Sequence, residues 1–118
     1  MRNRYAEMPS FVTKDGSLVR ELMHPKSHGN SAQSLAEAIV AVGMETGLHR
    51  HVRSEELYHV TSGSGEMTLA EAVFGVLPGD TVCIPPGTPH SIRNTGNSEL
   101  KILCSSSPPY SHEDTELL

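Results

Sequence analysis

The chain has 118 residues, 36% of them hydrophobic, no Trp and a formal net charge of −5. That length holds one domain with a single, mostly aliphatic core. The negative charge, with no basic run and no aromatic platform for bases, argues against nucleic acid and anionic membrane as partners.

Taken in order, Arg2 and Arg4 have no apolar run behind them, so the N-terminus does not read as a secretory signal, and no stretch is long enough to cross a bilayer. Residues 10–13 and 18–23 flank Lys14-Asp15-Gly16-Ser17, and an Asp-Gly between β-prone runs signals a hairpin. Residues 24–30 are polar with Gly and Pro, which predicts a loop and makes His24 and His28 loop histidines. Residues 34–42 fit two patterns: Leu35, Ile39 and Val42 form a helical stripe, yet the segment also alternates as a strand would. Strands are predicted over 48–52, 56–61, 66–69, 73–77, 80–84, 90–94 and 100–105, most of them separated by Gly- or Pro-containing turns. The link Ala70-Glu71-Ala72 lacks any good turn residue. The tail, 106–118, is acidic and contains Pro; it either lies over the barrel or is disordered. Cys83 and Cys104 fall in predicted strands and read as buried, reduced thiols of a cytoplasmic protein, with a thiol ligand the less favoured alternative. Nine or ten short strands make an all-β sandwich or barrel.

Two stretches carry chemistry. In the first, Gly43 is followed after five residues by His49 and His51, then by Glu56 and Gly63. On a strand, alternate side chains share a face, so His49 and His51 project together and Arg50 projects away. Two imidazoles and a nearby carboxylate can converge on one divalent metal; taken alone, two surface histidines explain the pattern about as well. In the second stretch, Gly79, Pro85, Gly87, His90 and Asn94 follow in fixed spacing.

Together these stretches resemble both motifs of the cupin family, at every fixed position and in the right order. The resemblance implies a double-stranded β-helix, or jelly-roll, barrel with a metal inside, and it turns the choice for 34–42 toward strand. The expected organisation is one domain, 1–118, with a core of about 34–105, an N-terminal hairpin at 10–23 and a C-terminal tail at 106–118.

The resemblance further implies that His49, His51, Glu56 and His90 hold one divalent transition metal (Zn, Fe, Mn, Ni, Co or Cu). Glu56, not Glu55, lies six residues before Gly63 and shares an alternating face with Tyr58 and Val60. Tyr58 is the candidate catalytic donor; the plainer alternative is a buried Tyr bonded to backbone. Arg50 and Arg93 have the opposite parity to the ligands, which leaves Arg53 as the one candidate partner for a substrate phosphate. Leu100, Ile102 and Cys104 are expected inside, His59 outside, and Asn94 is expected to bond backbone at a turn. The leading function is a metalloenzyme acting on a small organic substrate, of dioxygenase, isomerase or cyclase type. The alternative is a non-catalytic, metal-dependent binding or sensor module. A homodimer is expected, with the N-terminal segment pairing across to the partner.

Overall fold

The computed structural model describes residues 1–118. It contains eleven strands: β1 (Ser10–Val12), β2 (Leu18–Met23), β3 (Ser34–Val40), β4 (His49–His51), β5 (Glu55–Ser62), β6 (Gly65–Leu69), β7 (Ala72–Val76), β8 (Thr81–Ile84), β9 (His90–Asn94), β10 (Leu100–Ser107) and β11 (Thr115–Leu117). They form two antiparallel sheets, in the orders β1-β2-β3-β10-β5-β8 and β11-β4-β9-β6-β7. This is the all-β barrel that the strand pattern predicts.

The core lies between the two sheets. Val40, Val60, Ile84, Leu100 and Ile102 from the larger sheet meet Met67, Val76 and Ile92 from the smaller one. Each such buried aliphatic side chain contributes about 1.5–3 kcal/mol of burial free energy. Alternation sets which residues reach it: on β5, Glu56, Tyr58 and Val60 are buried while Glu55, Leu57 and His59 are exposed.

β3 settles the helix-or-strand ambiguity as a strand, paired with both β2 and β10. Its inner face carries Ser34, Ala36 and Ala38, small side chains that leave a cavity open, while Leu35 is exposed on the outer face. Leu35 and Ile39 lie on the face away from the cavity, while Val40 reaches the core and Val42 lies beyond the end of the strand.

Four expectations need correction. Residues 25–28 form a helical turn where a loop is predicted, and His24 is its buried cap. The His24 ring accepts from the Lys26 amide at 3.1 Å and its other nitrogen donates to the Tyr110 carbonyl at 2.8 Å. Cys83 is exposed, because β8 buries Val82 and Ile84 instead; Cys104 faces the cavity, and both thiols are free. β10 runs two residues beyond its predicted end. The tail is not merely laid over the barrel but ends in a strand, β11, paired with β4.

Gly63 shows what one motif glycine does. It has φ 81°, and a Cβ there would lie 2.5 Å from the Glu99 carbonyl oxygen, so only glycine fits the turn. Asn94 bonds the Val40 and Ser98 carbonyls and accepts from the Gly96 amide, fixing the end of β9.

The β6–β7 turn is built without glycine. Leu69 pairs with Ala72, so Ala70 and Glu71 alone make the reversal, and Ala70 takes φ 52°. Its amide donates to the Pro89 carbonyl at 2.8 Å, which holds it there. Ala70→Gly should therefore raise the unfolding free energy by about 0.5–1 kcal/mol, the left-handed penalty less glycine's extra chain entropy. A urea midpoint that stays put or falls would contradict this.

Candidate metal centre

β4 and β9 are neighbours in the smaller sheet, and His49 sits directly opposite His90. With His51 two residues along β4, the three imidazoles meet inside the barrel, their nearest ligand atoms all within 4.8 Å of one another. Ring centroids lie 4.2 Å apart for His49 and His90, 5.2 Å for His49 and His51, and 5.4 Å for His51 and His90. All three side chains are buried.

Their outer nitrogens are committed. His49 Nδ1 donates to the Gly47 carbonyl at 2.7 Å and His90 Nδ1 to the Thr88 carbonyl at 2.9 Å. A carbonyl only accepts, so both Nδ1 atoms carry hydrogen. His51 Nδ1 lies 3.0 Å from Thr115 Oγ1, and that hydroxyl already donates to the Ser111 carbonyl at 2.8 Å. It therefore accepts from His51 as well. In the neutral rings every Nε2 is thus a lone pair, and all three point inward.

Glu56 enters the same space from β5. Its Oε1 lies 3.1 Å from His51 Nε2 and 3.5 Å from His90 Nε2, while Oε2 accepts from the Ser106 hydroxyl at 3.4 Å. Burial pushes the carboxyl up, but the His51 and His90 rings beside it outweigh that and hold the pKa down at about 2. Burial, together with the charge of a nearby His90, lowers the pKa of His49. Glu56 Oε1 and His90 Nε2 are buried without a hydrogen-bond partner. Buried polar atoms are rarely left so, and here a divalent cation fits the donor set: three imidazole nitrogens and a carboxylate.

The other residues singled out from sequence fall into place around this cluster. Glu55 is exposed. Tyr58 lines the cavity, edge-on to His90 at 5.8 Å, and burial followed by the Glu56 charge raises its hydroxyl pKa well above the ordinary value. Arg50 pairs with Glu116 and Arg93 with Glu66, both outside. Arg53, the candidate phosphate partner, is 79% exposed, lies 3.8 Å from Asp114 and does not line the cavity.

Two contributions escaped the sequence reading. The tail supplies Thr115, which orients His51, and Tyr110, edge-on to His51 at 5.7 Å. Asp114 docks the tail by accepting from the amides of Arg53 and Ser54. The N-terminal hairpin supplies a cavity wall, with Thr13, Asp15, Ser17, Val19 and Glu21 facing in. Asp15 Oδ2 reaches within 3.5 Å of His49 Nε2. Neither segment carries a ligand motif; the Asp-Gly turn and a short Thr-Glu-Leu strand were the only signals available.

Comparison with known proteins agrees with this architecture. Residues 36–106 match the family model described as the cupin domain. The chain is 55% identical over 118 residues to an uncharacterized protein of Methanocaldococcus jannaschii, covering all of this chain and 94% of that one. It is 33% identical over 86 residues to an oxalate-binding protein of Thermotoga maritima, covering 73% of this chain and 67% of that relative. Among solved structures, the nucleoside dehydratase Pac13 from Streptomyces superposes with a TM-score of 0.80 at 18% identity, over 100% of this chain and 90% of Pac13.

The committed Nδ1 atoms generate a prediction. In long-range 1H–15N spectra at neutral pH, His49, His51 and His90 should each carry hydrogen on Nδ1, with or without added metal. A neutral Nε2–H tautomer at any of the three would contradict it.

Proposed function

The chain belongs to the cupin domain family, and on that premise we propose that it is a metalloenzyme acting on a small, uncharged, oxygen-bearing substrate. His49, His51, His90 and Glu56 would hold one divalent transition metal: Zn, Fe, Mn, Ni, Co or Cu. When bound, such an ion supplies Lewis acidity and open positions for a water or substrate oxygen.

The observation that carries the substrate class is the charge of the cavity wall. Asp15, Glu21 and Glu56 line it, and no Lys or Arg does. Three carboxylates outweigh a divalent ion, so a dianion such as the oxalate of the T. maritima relative meets net repulsion. A phosphosugar is disfavoured for the same reason, since Arg53 points to solvent. The remaining lining suits a neutral molecule: Thr13, Ser17, Ser34, Ser106, Tyr58 and Tyr110 offer hydroxyls beside the apolar Phe11 and Val19. Uridine, the molecule found with Pac13, is neutral and hydroxylated in the same sense.

Tyr58 is the proton donor of this reading. Its hydroxyl stays protonated at neutral pH, beside both Glu56 and His90. It is placed to donate to a substrate oxygen on which negative charge develops. That favours proton-transfer chemistry, of isomerase or cyclase type, over oxygen chemistry.

The test is a substrate screen on metal-reconstituted protein, comparing neutral carbonyl and hydroxyl compounds with dicarboxylates, while oxygen uptake is followed. Neutral compounds should be turned over without oxygen uptake, and with the best of them Tyr58→Phe should lower kcat about 100-fold at unchanged metal content. Oxalate binding tighter than any neutral compound, or oxygen consumption, would contradict the reading. Binding without any turnover would mean a non-catalytic sensor.

A further inference from the structure

The acidic group at the tip of the N-terminal hairpin is too deliberately placed for a turn residue. Asp15 Oδ1 accepts three hydrogen bonds, from Thr13 Oγ1 at 2.7 Å, the Ser17 amide at 2.9 Å and Ser17 Oγ at 2.6 Å. These suffice to build the turn. Oδ2 takes no part in them. It turns inward instead, 3.5 Å from His49 Nε2, on a side chain only 13% exposed.

The hairpin tip is clamped from both sides to the segments that orient the imidazoles. The Asp15 carbonyl accepts from the Gly47 amide at 2.7 Å, and the Gly47 carbonyl takes the Nδ1 hydrogen of His49. Lys14 Nζ donates to the carbonyls of His112 and Thr115, each at 2.9 Å, and Thr115 orients His51. With Nδ1 committed, neutral His49 presents a lone pair to Asp15 Oδ2. Two acceptors face each other with no hydrogen between them, an arrangement that a cation between them would relieve.

From this geometry, and resting on the metal reading above, we propose that Asp15 is a fifth protein ligand, so that metal binding fastens the already docked hairpin tip to the barrel as one wall of the cavity. Glu56 approaches from β5 beside His51 and His90, and Asp15 approaches from the hairpin beside His49. One ion would then be shared by the barrel and a hairpin outside the matched family region, residues 36–106.

Asp15→Asn separates ligand from turn residue. Its oxygen can keep the Thr13 and Ser17 bonds while an amide nitrogen replaces Oδ2. The probe is Co2+, titrated into metal-free wild type, Asp15→Asn and Glu56→Gln. Hydrogen exchange at the Ser17 and Gly47 amides is followed with and without saturating Co2+. Metal-free Asp15→Asn should melt with metal-free wild type, yet bind Co2+ about tenfold or more weakly. Co2+ should slow exchange at both amides by about tenfold or more in wild type, and leave them unchanged in Asp15→Asn. Should the amide variant fail to fold, Asp15→Ser keeps an acceptor near the Ser17 amide and should give the same ordering. Equal affinity of Asp15→Asn and wild type, with Glu56→Gln weakened, would overturn the proposal and leave the metal reading standing. Tighter binding by Asp15→Asn would also overturn it, marking Asp15 as the counter-charge of a protonated His49. A wild type that takes up no Co2+ would overturn both.

Discussion

The barrel is arranged around a convergence of acceptors. Three imidazoles spend their Nδ1 hydrogens outward, on Gly47, Thr88 and Thr115, and so must turn lone pairs inward, those of His51 and His90 toward Glu56. Buried acceptors facing one another are costly unless something positive lies among them. The carbonyls that take the outer hydrogens belong to the turns just before β4 and β9, two residues ahead of His49 and His90. Turn geometry and ring orientation are therefore one problem. A shift in either loop would release an Nδ1 hydrogen and rotate a ring out of the cluster.

The rest of the fold keeps this space open on one side. At one end the two sheets are filled by Val60, Met67, Ile84, Ile92 and Leu100. At the other, β3 lines the interior with Ser34, Ala36 and Ala38, so that the volume is not filled. Alternation then leaves Leu35 and Leu57 on the outer face. Stability and site are divided along the barrel axis, with Tyr58 and Cys104 at the boundary, partly core and partly wall.

Much of this was legible in the chain. The family resemblance carried by the two motifs implies His49, His51, Glu56 and His90 as one group, and period-two alternation adds that Glu56 shares a face with Tyr58 and Val60. The same logic put Arg50 and Arg93 outside. What escaped it was non-local. The three residues of β11 carry no pattern, and their placement depends on Asp114 docking to the amides after β4. Asp15 looked like ordinary hairpin chemistry, since an Asx turn and a second carboxylate use the same residue. β3 was legible only through the family resemblance, because an open cavity calls for small residues where a packed core would show large ones. Cys83 was misread because a thiol is more often buried than not, whereas its strand position is exposed.

The central claim is that the inward lone pairs and carboxylate hold a metal ion, and elemental analysis of protein purified without a histidine tag tests it most directly. The account predicts close to one divalent transition-metal ion per chain, removable by chelation and restored by dialysis. Protein that is purified free of metal, and that takes up none of Zn, Fe, Mn, Ni, Co or Cu on reconstitution, would contradict it.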